Sequence, residues 1–170
     1  ALGDVFGMEP QQVRCHRRVV VLSAAGKPFD DLLAGELAAD ERDLVLLCGR
    51  FEGFDARVSR LLATEEVSIG PYVLAGGEVP AMAVVEAIVR KMPGALGNQE
   101  SVVEESFSPE LEGAAEYPHY TRPREYMGEA VPEILLSGHH GAIAAWRRAQ
   151  ARPSAWVQWG RGAKEERLRG

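Results

Sequence analysis

The sequence predicts an α/β protein, a parallel sheet flanked by helices, and three observations carry that prediction. Three short apolar, β-branched runs, Arg18–Leu22, Leu44–Cys48 and Glu66–Ile69, read as buried strands. Each run leads into a loop that contains glycine. Each loop is followed by a stretch whose apolar residues recur at helical spacing, and a strand, loop and helix repeated three times implies parallel strands whose C-terminal loops gather into one ligand crevice.

Taken in order, Ala1 to Pro10 have no clear periodicity. Arg18-Val19-Val20-Val21-Leu22 is the first strand, and Ser23-Ala24-Ala25-Gly26 the loop after it. Asp30 or Asp31 can cap a helix that carries Leu32, Leu33 and Leu37. The second strand, Leu44 to Cys48, opens into Gly49-Arg50-Phe51-Glu52-Gly53, after which Phe54, Val58, Leu61 and Leu62 mark one helical face. The third strand runs into Gly70-Pro71 and then Gly76-Gly77, a turn followed by a point where the backbone can approach a bound molecule closely. Glu78 and Pro80 suit the first turn of a helix that continues to about Met92, with Met82, Val85, Ile88 and Val89 as its apolar face and Pro93-Gly94 as its stop.

The second half is less regular. Residues 97–116 hold six glutamates without a core pattern. Tyr117-Pro118-His119-Tyr120-Thr121-Arg122-Pro123 suits base stacking and phosphate contact, and equally a proline-stiffened connector that packs its tyrosines inward. Val131–Leu136 reads as a short strand, and Ser137 as the cap of a last helix with Ile143 and Trp146. Beyond Pro153, Trp156 and Trp159 fit no period.

Composition narrows the function. At 170 residues the chain suits one domain with a short appendage, and no window approaches the ~18 apolar residues of a membrane span. A cytoplasmic protein without a membrane partner is expected. Cys15 and Cys48 have no Cys-x-x-Cys partner, so a buried thiol at Cys48 is expected rather than a disulfide or metal ligand. The net charge of −6 is uneven: residues 139–170 carry a local +5 and the other 138 residues −11, which allows an acidic body to hold a phosphate backbone along one basic edge. Neither Gly-x-Gly-x-x-Gly nor Gly-x-x-x-x-Gly-Lys-Ser/Thr follows a strand, so a ligand must be held by other means than a dinucleotide fingerprint or a P-loop.

Five ordered motifs carry a resemblance. Leu-Cys-Gly-Arg-Phe-Glu-Gly-Phe-Asp-Ala-Arg-Val (47–58), Ser-Ile-Gly-Pro-Tyr-Val-Leu-Ala-Gly-Gly-Glu-Val-Pro-Ala-Met (68–82), Pro-Gly-Ala-Leu-Gly-Asn (93–98), Pro-His-Tyr-Thr-Arg-Pro (118–123) and Val-Pro-Glu-Ile-Leu-Leu-Ser-Gly-His-His (131–140) closely resemble the bacterial tRNA (guanine-37-N1)-methyltransferase family. That family belongs to the SPOUT superfamily. The resemblance implies a parallel sheet ending in a C-terminal trefoil knot, an exception to the rule that chains do not thread loops, plus a short helical C-terminal extension. It implies a knotted cofactor-binding domain over residues 1–112, a linker over 113–130 and a tRNA-binding region over 131–170.

S-adenosylmethionine would lie in the knot, held by Leu22, Ser23 and Gly26 of the first loop, Gly49, Phe51 and Glu52 of the second, and Ile69, Gly70, Tyr72, Leu74, Gly76 and Gly77 of the third. The reaction implied is methylation of N1 of the guanosine 3′-adjacent to the anticodon. N1 carries a proton in the neutral base, so a base must remove it and a cation should stabilise the charge that spreads onto O6. The family's catalytic arginine falls on Arg90 and its general-base aspartate on Glu105, with Glu104 an adjacent competitor. A free glutamate, with a pKa of about 4.3, is a weak base for such a proton, so positioning must make up the difference.

Homodimerisation is implied, each site combining one subunit's knot with its partner's C-terminal part around the anticodon stem-loop. His119, Tyr120 and Arg122 would then contact RNA or the dimer interface. The family's methyl transfer is associated with magnesium, and no residue pattern here marks a site for it. His139-His140 suits a capping role better than metal ligation. This chain departs from the family at Ala24 and Pro71, where proline and aspartate are usual. Set against the family, its first strands are expected to be missing before Ala1, and its C-terminal helical domain to be cut short or replaced after Trp146. A truncated knot domain that binds S-adenosylmethionine or RNA without turnover is the alternative expectation.

Overall fold

The computed structural model describes residues 2–95, 105–108 and 111–152. Glu104, Trp156, Trp159 and the basic residues from Arg161 onward lie outside the described residues. The chain forms two compact units, Ala1–Gly97 and Asn98–Gly170.

The first unit is mixed α/β around a three-stranded parallel sheet of order β2-β1-β3, formed by β1 (Arg18–Pro28), β2 (Leu44–Cys48) and β3 (Glu65–Ser68). Arg18 to Leu22 stand opposite Leu44 to Cys48 on one side, and Val20 to Leu22 opposite Glu65 to Val67 on the other. Val19, Val20, Val21 and Leu22 are all buried, which is why the run is continuously apolar: both faces of the central strand are covered. Val20, Leu22 and Val67 join Leu33 and Leu37 of α3 (Asp31–Ala38) and Val84 and Ile88 of α5 (Glu78–Lys91) in one core. Each aliphatic side chain buried there contributes about 1.5–3 kcal/mol.

Two short helices, α1 (Leu2–Phe6) and α2 (Pro10–His16), occupy the segment that showed no period, and α2 packs on β1 through the fully buried Val13. Asp30, not Asp31, caps α3, its Oδ1 accepting from the Leu33 N–H at 2.8 Å. In α4 (Ala56–Leu61) the cap is Asp55, so Phe54 precedes the helix instead of lying on its face. Arg14 donates through Nη1 to the Arg60 carbonyl (3.1 Å) near the C-terminal end of α4.

Two expectations for this unit need correction. β1 does not end at Leu22: Leu22 and Lys27 both stand opposite Val67, so Ser23–Gly26 leaves the ladder as a four-residue detour and the strand resumes to Pro28. The buried face of α5 is also rotated. Val84 and Ile88 face the core, whereas Met82, Val85 and Val89 are exposed, because the helix is apolar on more than one side and spacing alone does not choose between them.

In the second unit, β4 (Glu125–Tyr126) and β5 (Glu129–Ala130) form an antiparallel hairpin turned at Met127 and Gly128, both at positive φ. Val131–Leu136 is not a strand: Glu133–Leu136 is a single helical turn, α6, entered from Pro132. The last helix, α7 (His140–Gln150), is capped by His139, whose Nδ1 accepts from the Ala142 N–H at 3.2 Å. Ser137 instead donates to the Ile134 carbonyl (2.7 Å), which closes α6.

Candidate active site

The sheet order places β1 between strands that lie to either side of it, and a crevice opens outside the C-terminal ends at that switch point. Its volume is about 460 Å³, within the range of small-molecule sites. Three loops bound it: Ser23, Ala24 and Ala25 after Leu22; Gly49 and Phe51–Phe54 after β2; Ile69, Gly70 and Tyr72–Gly77 after β3.

Backbone contacts join the second and third loops. The Gly77 N–H donates to the Gly49 carbonyl (2.9 Å), Arg50 and Gly76 pair as an isolated antiparallel bridge, and Arg50 Nε donates to Glu78 Oε1 (2.7 Å). Gly77 has to be glycine. A Cβ there would lie 2.7 Å from the Cys48 Cα, so the two chain segments approach more closely than any side chain permits. Within the third loop, Ser68 donates its hydroxyl to the Gly70 carbonyl (3.0 Å) and the Tyr72 hydroxyl donates to the Ile69 carbonyl (3.2 Å). Phe51 is fully exposed at the rim with φ of 56°, a backbone region that costs a bulky residue on the order of 1–2 kcal/mol.

The electrostatics of the lining are one-sided. Glu52 and Glu66 are the charged residues of its lining, and among the described residues no lysine or arginine bounds it. Arg50, at the edge, is paired with Glu78, whose carboxyl is held below its usual range by that hydrogen bond. The half-buried Cys48 thiol is pushed up by burial and then by the Glu78 charge, which suits an inert thiol beside the site.

Of the positions expected to hold a cofactor, Leu22, Ser23, Gly49, Phe51, Glu52, Ile69, Gly70, Tyr72, Leu74, Gly76 and Gly77 all bound this crevice. Gly26 does not. A Cβ on Gly26 would meet the Val67 backbone at 2.5 Å, so this glycine brings the detour back onto β3. Sequence reasoning missed Glu66, Ser59 and Pro80. The signal for Glu66 was its place beside Val67 at the end of a strand that leads into the third loop.

The expected catalytic residues lie elsewhere. Arg90 is exposed in the last turn of α5 and does not bound the crevice; twelve residues of helix carry it about 18 Å from Glu78 along the axis. Glu105 is half-buried in the second unit, beside a reciprocal tie in which the Ser106 N–H donates to Glu116 Oε1 (2.8 Å) and the Glu116 N–H donates to Ser106 Oγ (3.0 Å). His119 Nε2 is 2.6 Å from Glu116 Oε2, and its ring packs on Tyr117 at 5.1 Å between centroids. Tyr117 is buried under the Arg147 guanidinium (4.9 Å), whereas Tyr120 lies tilted against Trp146 (6.4 Å between ring centroids) and stays exposed, so the connector turns one of its two tyrosines inward. Arg122 is exposed. Among the described residues no group of three or more His, Cys, Asp or Glu side chains is arranged to hold a metal ion.

A family model described as tRNA (Guanine-1)-methyltransferase TrmD matches residues 6–159. The chain belongs to the TrmD family. A tRNA (guanine-N(1)-)-methyltransferase of Pelotomaculum thermopropionicum is 55% identical over 134 residues, covering 79% of this chain and 52% of the relative. The protein of the same name from Nitratidesulfovibrio vulgaris is 53% identical over 151 residues, covering 86% and 35%. A third, from Ruegeria pomeroyi, is 49% identical over 162 residues, covering 91% and 65%. The chain therefore spans about half the length of several of the curated TrmD relatives it matches. The matched range takes in most of each unit.

Proposed function

We propose that this TrmD-family chain is an S-adenosylmethionine-dependent methyltransferase acting on N1 of the guanosine 3′-adjacent to the tRNA anticodon. The observation that carries the cofactor assignment is the lining of the crevice, with two carboxylates, no basic side chain and glycine-permitted close approach of backbone. A phosphate-bearing nucleotide would be repelled by Glu52 and Glu66, whereas a cationic adenosyl ligand is favoured by them. Leu22, Ile69, Leu74 and Pro80 offer an apolar seat for a flat base, and Ser23, Gly49, Tyr72 and Gly76 offer polar groups for its edges. Bound there, S-adenosylmethionine supplies a methyl group activated by its sulfonium.

In this reading Glu105 takes the N1 proton and Arg90 places its cation against O6 as negative charge develops there. The tie between Ser106 and Glu116 fixes the backbone next to Glu105, which lets a modest base act through position. Tyr120 and Arg122, both exposed, contact the anticodon stem-loop together with His119, and the chain from residue 131 onward adds its basic side chains to the phosphate backbone. The loops of the crevice would belong to a trefoil knot within residues 1–112, with 113–130 as the linker.

Homodimerisation is supported by α5. Val79, Met82, Val85, Val89 and Met92 form an exposed apolar stripe along one side of it, with Arg90 at its border. A second copy packed there would bring Arg90 to the shared interface. The compartment proposed is the cytoplasm, where the tRNA substrate is found, and no helix among the described residues is long and apolar enough to cross a membrane.

One preparation tests the proposal. At assay concentration the chain should sediment as a dimer and transfer a labelled methyl group from S-adenosylmethionine to tRNA with G at the position after the anticodon, but not to the same tRNA with A there. Cofactor binding with no incorporation into any tRNA would reduce the assignment to a binding domain.

A further inference from the structure

The first wall of the crevice has an unusual support. Leu22 and Lys27 stand opposite the same residue, Val67, and none of Ser23–Gly26 pairs with either neighbouring strand. Within the detour the Ala25 N–H donates to Ser23 Oγ (3.2 Å), and both its ends rejoin the ladder at one stem. The stem is clasped by one carboxylate. Glu65, at the start of β3, binds Arg18 Nε with Oε1, and Lys27 Nζ lies 2.6 Å from Oε2 in an ionic contact off the line of an ideal hydrogen bond.

Arg18 opens β1 before the detour and Lys27 follows it, so both arms of the strand are tied to the same group. The anchor is rigid. Arg18 Nη1 also donates to Asp40 Oδ2 (3.0 Å), and Asp40 is held in turn by Arg42 (2.7 Å). The Glu65 side chain is only 10% exposed, and burial by itself would push its carboxyl up, but the bonds from Arg18 and Lys27 outweigh that and keep it ionised.

We infer that Glu65 is a positioning residue for the cofactor: through Lys27 it holds the Ser23–Ala25 wall in the conformation that receives the adenosyl ligand. The inference rests on the reading that the crevice takes S-adenosylmethionine. Lys27 is the arm to cut, because its side chain is one-third exposed and its loss leaves Glu65 paired with Arg18. The sign of the effect separates the clasp from plain electrostatics. S-adenosylmethionine carries a net positive charge, so removing a nearby cation would by itself tighten binding, whereas loosening the wall weakens it.

The test is calorimetric titration of S-adenosylmethionine and of S-adenosylhomocysteine, which lacks the sulfonium charge, into wild type, Lys27→Met, Lys27→Arg and Glu65→Gln. A wall competent about one-tenth of the time makes Kd about tenfold weaker for both ligands in Lys27→Met. Lys27→Arg should stay within about twofold of wild type, and kcat of Lys27→Met at saturating cofactor should be unchanged, since the loss is in ground-state binding. Glu65→Gln should lose at least as much affinity as Lys27→Met. Equal or tighter binding by Lys27→Met, or failure of Lys27→Arg to restore affinity, overturns the inference. Absence of binding by wild type overturns the crevice reading itself, so the two failures are distinguishable.

Discussion

The two units hold the residues proposed for function in different ways. In Ala1–Gly97 the loops of the crevice are held together by main chain: strand ends, a backbone bridge between Arg50 and Gly76, and glycines that let segments approach. In Asn98–Gly170 the corresponding work is done by side chains. Ser106 is tied to Glu116, Glu116 to His119, Tyr117 to Arg147 and Tyr120 to Trp146. The first unit has a sheet whose hydrogen bonds fix the loops leaving it, and the second, among the described residues, has a pair of two-residue strands and short helices. A backbone-built site tolerates exchange of many side chains but not an added Cβ, whereas a side-chain-built site fails one polar group at a time.

The sharpest way to break this contrast is at Glu105. Glu105→Gln should lower the methyl-transfer rate by about 10²–10⁴-fold, the usual contribution of a general base, while calorimetry finds S-adenosylmethionine binding unchanged. Wild-type turnover in that variant would remove Glu105 as the base, and a parallel loss of cofactor binding would show that the units do not divide the work as described. The next effect is expected at Gly77. Gly77→Ala puts a Cβ 2.7 Å from the Cys48 Cα, and the forced separation of the two loops should cost about 1–3 kcal/mol of stability in denaturant melts and weaken cofactor binding at least tenfold. Unchanged affinity would mean that the contact between the second and third loops does not shape the crevice.

The smallest effect concerns the charged cluster beneath the sheet. The Glu65 carboxyl is held below its ordinary value of 4.5, and Asp40, hydrogen-bonded first by Arg42, below its ordinary 3.8. Both groups regain those ordinary values on unfolding, so their ionisation favours the fold above about pH 4.5 and that contribution is lost as acid protonates them. The melting temperature of wild type should fall as pH drops through this range, and that of Glu65→Gln should fall less steeply. Parallel curves would show that Glu65 contributes no pH-linked stability.

Much of the first unit was legible because its signals are local. A continuous Val and Leu run can only be satisfied by burial on both faces, and a loop after each of three such runs had to gather at one edge. Eleven of the twelve residues that the resemblance assigns to the ligand bound one crevice, and the exception, Gly26, meets Val67 across the strand instead. The second unit gave weaker signals. Val131–Leu136 alternates well enough for a strand, yet Pro132 starts a helical turn, and Ser137 looks like the cap that His139 supplies.

By itself, then, the sequence determined the strand order of events along the chain, the glycine loops and the family to which they belong. The runs and loops follow from local backbone preferences and short apolar stretches, and the family from five ordered motifs that resemble it. Only the tertiary structure decided which side of α5 faces the core. Val84 and Ile88 go inward and Met82, Val85 and Val89 stay exposed, because the choice depends on how the helix packs against α3 and the sheet and not on its own spacing. The same holds for the clasp at Glu65: Arg18, Lys27 and Glu65 are far apart in sequence, and their meeting is set by strand register.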